Sequence, residues 1–278
     1  MASITDCVVD GLKYPFNDIK KLLSFGIIIS ILNVVSLFLS FKLMDSYRIT
    51  LRILENSNGN AMPINFSQLH LGDVYSIIIL TFISFIITLL ILGYQYDIVK
   101  FSIEKKESLP KLNNILNIFK KGIKYFIAAL AYNIIPGLIL LIGTVLVHDS
   151  SILSVIFLIS VLLFIIAFFL QIMALNNMIA YDKLSKAFDL REITGNISNL
   201  GWKKYIGIII FTIIIYMIIM SVVGLILSFL ITLFAATVNN QVFIVLTFLA
   251  IISGLFINSY FGVFLNRVCG SIYRESIK

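Results

Sequence analysis

Six stretches of this chain, approximately 22–41, 75–96, 126–147, 152–174, 205–234 and 241–265, each run about twenty residues or more without one Asp, Glu, Lys, Arg or His. A helix needs about 20 mostly apolar residues to cross a bilayer. The chain is therefore predicted to be all-α: a polytopic membrane helical bundle of six transmembrane helices. The fifth stretch is long for one span, so it tilts or begins within the interface.

Composition agrees, with 60% of the 278 residues hydrophobic and 13% charged, whereas soluble domains are about a quarter charged. No long polar block remains to build a soluble domain, so residues 1–278 read as a single integral membrane domain. Asp6, Asp10 and Asp18 ahead of the first apolar run argue against a cleaved signal peptide. The net charge of +7 does not point to nucleic acid, because the basic residues flank hydrophobic spans instead of forming a basic domain.

Lys and Arg alternate across the chain. The segments before 22, at 97–125, at 175–204 and after 265 hold 18 of the 21, and the outer loop 42–74 holds the other three, Lys42, Arg48 and Arg52. The positive-inside rule then places both termini in the cytoplasm of a cell-membrane protein. Three lysine pairs on that side lead into odd-numbered spans: Lys20-Lys21, Lys120-Lys121 and Lys203-Lys204. Each closes a short amphipathic lead-in to an odd-numbered span.

The first lead-in, within Gly11–Gly26, spaces Leu12, Phe16, Ile19 and Leu23 helically, with Pro15 breaking it. The second spaces Leu112, Ile115, Leu116, Phe119 and Ile123, with Pro110 suited to a first-turn position. The third spaces Ala187, Leu190, Ile193, Ile197 and Leu200, with Asp189 and Glu192 at the spacing of an N-cap and its N3 partner. These read as amphipathic interfacial helices, with Trp202 at head-group depth; the alternative is connectors packed on the bundle. The order admits three parallel two-helix repeats. The six lysines are the candidate contacts to anionic lipid or to a membrane or cytoplasmic protein partner.

Within the spans the uncharged polar positions are Asn33, Gln95, Asn133, Gln171 and Asn258. They read either as the lining of a path for a small molecule or as inter-helix hydrogen bonds worth on the order of 0.6 kcal/mol each in lipid. Small-residue stripes favour close helix approach: Ala129, Asn133 and Gly137; Gly224, Ser228, Thr232 and Ala236; Ala250, Gly254, Asn258 and Gly262. Asn65-Phe66-Ser67 in the outer loop is a glycosylation acceptor pattern, so Asn65 is a candidate modification site.

Signals for catalysis are missing. His70 and His148 sit in different loops, Cys7 and Cys269 belong to no ligand pattern, and no HExxH, GxSxG or phosphate-cradling loop is present. Asp97, Asp182 and Asp189 are the carboxylates nearest the interface and read as solvated charges or caps. The expectation is no enzyme activity, no cofactor and no metal site.

Tyr14-Pro15-Phe16 with Lys20 and Gly26, Pro136-Gly137 with Gly143, Ala187-Phe188-Asp189, and Gly201-Trp202 with Tyr205 occur in this order. In this the chain resembles, from about Asp6 to Tyr273, an archaeal membrane-protein family of unknown function, number four thousand and thirteen in the domain-of-unknown-function series. The resemblance implies a multi-pass membrane protein, mostly from methanogens, with no assigned activity and no functional residues to carry over. Two functions are therefore expected: a non-enzymatic membrane scaffold or accessory subunit with a basic cytoplasmic face, or a permease-like protein passing a neutral or amphipathic small molecule.

Overall fold

A computed structural model describes residues 4–56, 71–147, 149–237 and 242–277. The chain order is α1 Ile4–Lys13, a 3-10 turn Tyr14–Asp18, α2 Ile19–Asn56, α3 Leu71–Ile103, α4 Ile115–Leu146 and α5 Ser150–Tyr181. A second 3-10 turn Leu184–Phe188 leads to α6 Leu190–Leu200 and α7 Trp202–Thr237; α8 Val242–Ile252, a π turn Ser253–Asn258 and α9 Ser259–Ser276 complete it. Among the described residues there is no strand, and six helical runs are long and apolar enough to cross a membrane. Helices satisfy their own backbone groups, which hydrocarbon requires. This is an all-α multi-pass membrane protein. Asn65, His70 and His148 lie outside the described residues.

The helix ends follow local chemistry. Asp149 caps α5 by accepting from the Ser151 and Ile152 N–H groups at 2.8 and 3.1 Å. Asp189 caps α6 by accepting from Glu192 N–H at 3.2 Å, at the predicted spacing. That helix ends at Gly201, whose φ of +91° suits a residue without a Cβ. Pro15 falls in the 3-10 turn that separates α1 from α2, the break expected of it.

The second lead-in differs from expectation. Pro110 is not in a first helical turn: α4 starts at Ile115, after Asn114 in the left-handed region, and then runs unbroken into its span. Leu112 lies outside the helix, and Ile115 and Leu116 are exposed on its first turn. The physical cause is the preceding segment, whose carbonyls are taken by side chains instead of by helix N–H groups, as described below.

The chain forms two compact units, residues 1–22, 92–222 and 260–278 in the first and 23–91 and 223–259 in the second. In the first, Tyr96, Val99, Ala128, Leu175, Met178, Ile179 and Ala187 form a core cluster. Helices α3 and α4 meet there backbone to backbone, since a Cβ on Gly93 would stand 1.8 Å from the Ile118 carbonyl oxygen. The apolar stripe of α6, Ile193, Ile197 and Leu200, is buried against protein, while Leu190, Phe188 and Trp202 stay exposed.

In the second unit, α2 lies close against the π turn. A Cβ on Gly254 would fall 2.6 Å from the backbone of Ser30, as the third stripe anticipates. Ser30 Oγ donates to the Ile251 carbonyl at 2.8 Å, and Asn33 Nδ2 donates to that of Ala250 at 3.1 Å. The π turn interrupts the regular hydrogen-bond ladder just after these carbonyls. The second stripe does not behave as expected: nothing approaches within 4 Å of a Cβ on Gly224, and Ser228 and Thr232 are exposed.

Candidate functional site

The lysine pairs divide their labour. In the first, Lys20 is exposed while Lys21 points inward, 2.7 Å from Asp18 and donating to the Leu109 carbonyl at 2.7 Å. In the second, Lys120 is exposed and Lys121 pairs with Asp97 at 2.5 Å beside the Tyr96 ring. In the third, Lys203 is exposed and Lys204 half-buried. The sequence could not separate the two members, because both satisfy the same charge count.

Lys21 belongs to a wider arrangement around segment 104–114. Five consecutive carbonyls of that segment each accept from a different side chain. Arg267 Nη1 reaches the Lys106 oxygen at 2.9 Å, Asn17 Nδ2 reaches Glu107 at 3.0 Å, and the Tyr14 hydroxyl reaches Ser108 at 2.9 Å. Lys21 holds Leu109, and the Tyr94 hydroxyl holds Pro110 at 3.0 Å. Carbonyls so bound need no helix or strand N–H to satisfy them.

Beside it opens a cleft of about 620 Å³ whose walls include Lys21, Lys106, Lys111 and Lys121, with Asp97 the one carboxylate among them. Asn113, Asn114 and Asn117 add neutral polar groups. Three of these lysines have a carboxylate partner, Lys21 with Asp18, Lys121 with Asp97 and Lys106 with Glu104 at 2.6 Å, so Lys111 carries the net positive charge of the cleft, and exposed Lys120 adds to it from the same end of α4. Lys106 and Lys111 escaped notice in the sequence because neither belongs to a pair directly ahead of a span: Lys105-Lys106 follows α3 and Lys111 stands alone.

The interfacial carboxylates are all engaged. Asp182 accepts from the Tyr96 hydroxyl at 2.6 Å and pairs with Lys124 at 3.0 Å, and these hold its pKa below the usual carboxylate range. Lys186 bridges Asp189 at 3.1 Å and Glu192 at 2.5 Å, lowering both their pKa values while its own rises.

Of the polar span positions, two meet directly: Asn133 Nδ2 donates to Gln171 Oε1 at 2.7 Å, joining α4 to α5. Asn33 bonds α8, and Asn258 ends the π turn without a hydrogen bond to the described residues. Gln95 and Gln171 face two adjoining cavities in the first unit, of about 530 and 170 Å³, which share Tyr125, Phe168, Ile172, Asn266 and Cys269 in their walls. Neither is lined by a charged residue. Asn266 and Asn176 were missed because each sits beyond the last residues of an apolar run, where polar groups are ordinary.

A family model described as "Protein of unknown function (DUF4013)" matches residues 76–232. The chain belongs to this family. The match takes in α4, α5, α6 and most of α3 and α7, and so includes segment 104–114 and the second and third lysine pairs. Tyr14 and Arg267, which grip segment 104–114, lie outside the part that defines DUF4013 here, as do Pro15 and Phe16. No curated protein and no solved structure matches the chain significantly.

Proposed function

We propose that this DUF4013 protein is a non-enzymatic scaffold or accessory subunit of the cell membrane, with its termini and lysine pairs on the cytoplasmic side. Its basic face engages anionic lipid there, leaving the remaining exposed lysines to a partner protein. The observation that supports this reading most is the cleft lined by Lys21, Lys106, Lys111 and Lys121 around Asp97. It lies at the end of the helices where lysine density is greatest. Such a cleft suits a phosphate-bearing head group, whose charge answers Lys111 and the neighbouring Lys120 and whose oxygens accept from ammonium groups and asparagine amides.

The test leaves Lys21 and Lys121, the inward-pointing lysines, intact. Lys20, Lys106, Lys111, Lys120 and Lys203 are replaced by Gln, and lipid retained by the purified protein is measured by native mass spectrometry against phosphatidylglycerol and phosphatidylcholine. The proposal expects preferential retention of phosphatidylglycerol by the original chain and its loss in the variant. Equal retention of both lipids would refute it. Orientation is checked with a cysteine at Asn60, which should react with an impermeant reagent from outside the cell.

A second reading, passage of a neutral or amphipathic small molecule, draws support from the paired cavities, because the smaller one reaches Gln171.

A further inference from the structure

The adjoining cavities of the first unit combine two properties. Their walls are mostly aliphatic and aromatic, with Ile172, Ile209, Ile213 and Leu265 among them. They also carry side-chain amides with unused capacity. Gln95 makes no hydrogen bond to any described residue. Gln171 uses its Oε1 on Asn133, but its amide N–H groups reach no described residue. Asn266, 9% exposed, donates to the Gly262 carbonyl at 2.7 Å, and its oxygen accepts from no described residue. Asn176, 1% exposed, donates to the Cys269 carbonyl at 3.0 Å, and among the described residues its oxygen is given no donor.

These residues belong to helices of the membrane-spanning set, where an unmatched amide is costly. The arrangement therefore asks for a molecule that fills apolar volume and brings a few hydrogen-bonding atoms. It also excludes a class of molecules. With no cation or anion in either wall, an ionised head group would enter a low-dielectric site uncompensated. Phe168 and Met217 at the larger cavity are exposed, which gives access from the side of the helices. A volume of about 530 Å³ is in the range of ordinary small-molecule sites.

We infer that the first unit binds one neutral amphiphile, a lipid-like molecule with an aliphatic body and an uncharged hydroxyl or carbonyl head held by Gln95 and Asn266. The body lies against Ile172, Ile209, Ile213 and Leu265. A hydroxyl head both donates and accepts, as the amides do, and a carbonyl head accepts from the Gln95 amide N–H groups. Binding requires no transport and no anionic lipid, so this inference is independent of the basic-face reading.

The experiment uses the full chain in lipid nanodiscs with hexadecanol carrying a photoactivatable diazirine near its hydroxyl. After irradiation and digestion, labelled positions are mapped by mass spectrometry. Labelling is expected on 94–96 and 265–269, around Gln95 and Asn266, saturable and displaced by unlabelled hexadecanol but not by hexadecyltrimethylammonium. The double variant Gln95→Leu and Asn266→Leu should weaken the apparent affinity about tenfold, the factor expected from losing hydrogen bonds in an apolar site. Ile213→Trp, which fills the cavity and leaves every amide in place, should reduce the same labelling and serves where the double variant does not fold. Labelling that tracks lipid exposure, fails to saturate, yields equally to the quaternary ammonium or persists in Ile213→Trp would overturn the inference. Lipid retention by the basic face is read separately and is expected to be unchanged in all these variants.

Discussion

Arg267 Nε donates to Asp10 Oδ2 at 2.8 Å, joining residues 257 positions apart in sequence. Its Nη2 reaches Asp10 Oδ1 at 3.3 Å, its Nη1 holds the Lys106 carbonyl, and its guanidinium lies 4.1 Å from the centre of the Tyr14 ring. One planar group thereby serves a carboxylate, a backbone oxygen and an aromatic face. Lysine keeps the charge but lacks the fork. Arg267→Lys should lower stability by about 2 kcal/mol, the scale of a lost charge-assisted hydrogen bond, because half-exposed Asp10 can rehydrate. Thermal unfolding of the detergent-solubilised protein checks this, and an unchanged midpoint would contradict the role.

Gly93 and Gly224 make opposite predictions for the same substitution. Gly93→Ala drives a methyl group into the Ile118 carbonyl, a backbone atom that cannot turn aside, and should abolish folded yield. Gly224→Ala meets open space within α7 and should preserve yield, with stability equal or raised by up to about 1 kcal/mol. Size-exclusion profiles of the two variants decide the matter.

Lys120 and Lys121 should separate in experiment. Lys121→Gln strands Asp97, whose side chain is only 13% exposed, and should destabilise the bundle measurably. Lys120→Gln alters an exposed side chain and should leave the melting temperature alone while weakening anionic-lipid retention. Equal melting losses in both would remove the distinction.

The cap of α6 carries a pH dependence. Lys186 holds Asp189 and Glu192 below their ordinary values, so their share of stability is present above the usual carboxylate range and drains as pH falls through the lowered values. Trp202, two residues beyond α6, reports the change through its emission. The transition should lie below about pH 4 and move up towards ordinary carboxylate values in Lys186→Met. A midpoint indifferent to that substitution would count against the assignment.

Asn133 and Gln171 should behave as a pair. Replacing either by Leu is expected to cost about 0.6 kcal/mol, and replacing both less than the sum, since the second change removes a group already left without its partner. Additive losses in unfolding measurements would show that the two are not coupled.

The spans, the lysine pairs and the Asp189 cap were legible because each is a local pattern: twenty uncharged residues, a doublet, a three-residue spacing. What escaped reading depends on partners far along the chain. Helix α1 gave only a faint signal, Cys7, Val8 and Gly11 on one side, and its meaning comes from α9, where a Cβ on Gly11 would strike Val268 at 2.5 Å. Pro110 looked like a helix start because proline suits a first turn, yet its carbonyl is committed to Tyr94 and the helix waits for Asn114. The cavity amides were half legible: Gln95 and Gln171 stood out within apolar runs, whereas Asn176 and Asn266 blended with polar run ends.

The row of bound carbonyls from Lys106 to Pro110 also orders events in time. Its donors at positions 14, 17, 21 and 94 are synthesised before the segment itself, whereas Arg267 follows about 160 residues later. At roughly 5–20 residues per second, that interval is on the order of ten seconds or more. Until then the Lys106 oxygen and the Asp10 carboxylate must rely on water. The last helix therefore acts as a latch, and a chain truncated before residue 267 leaves open a joint whose other four donors are already in place.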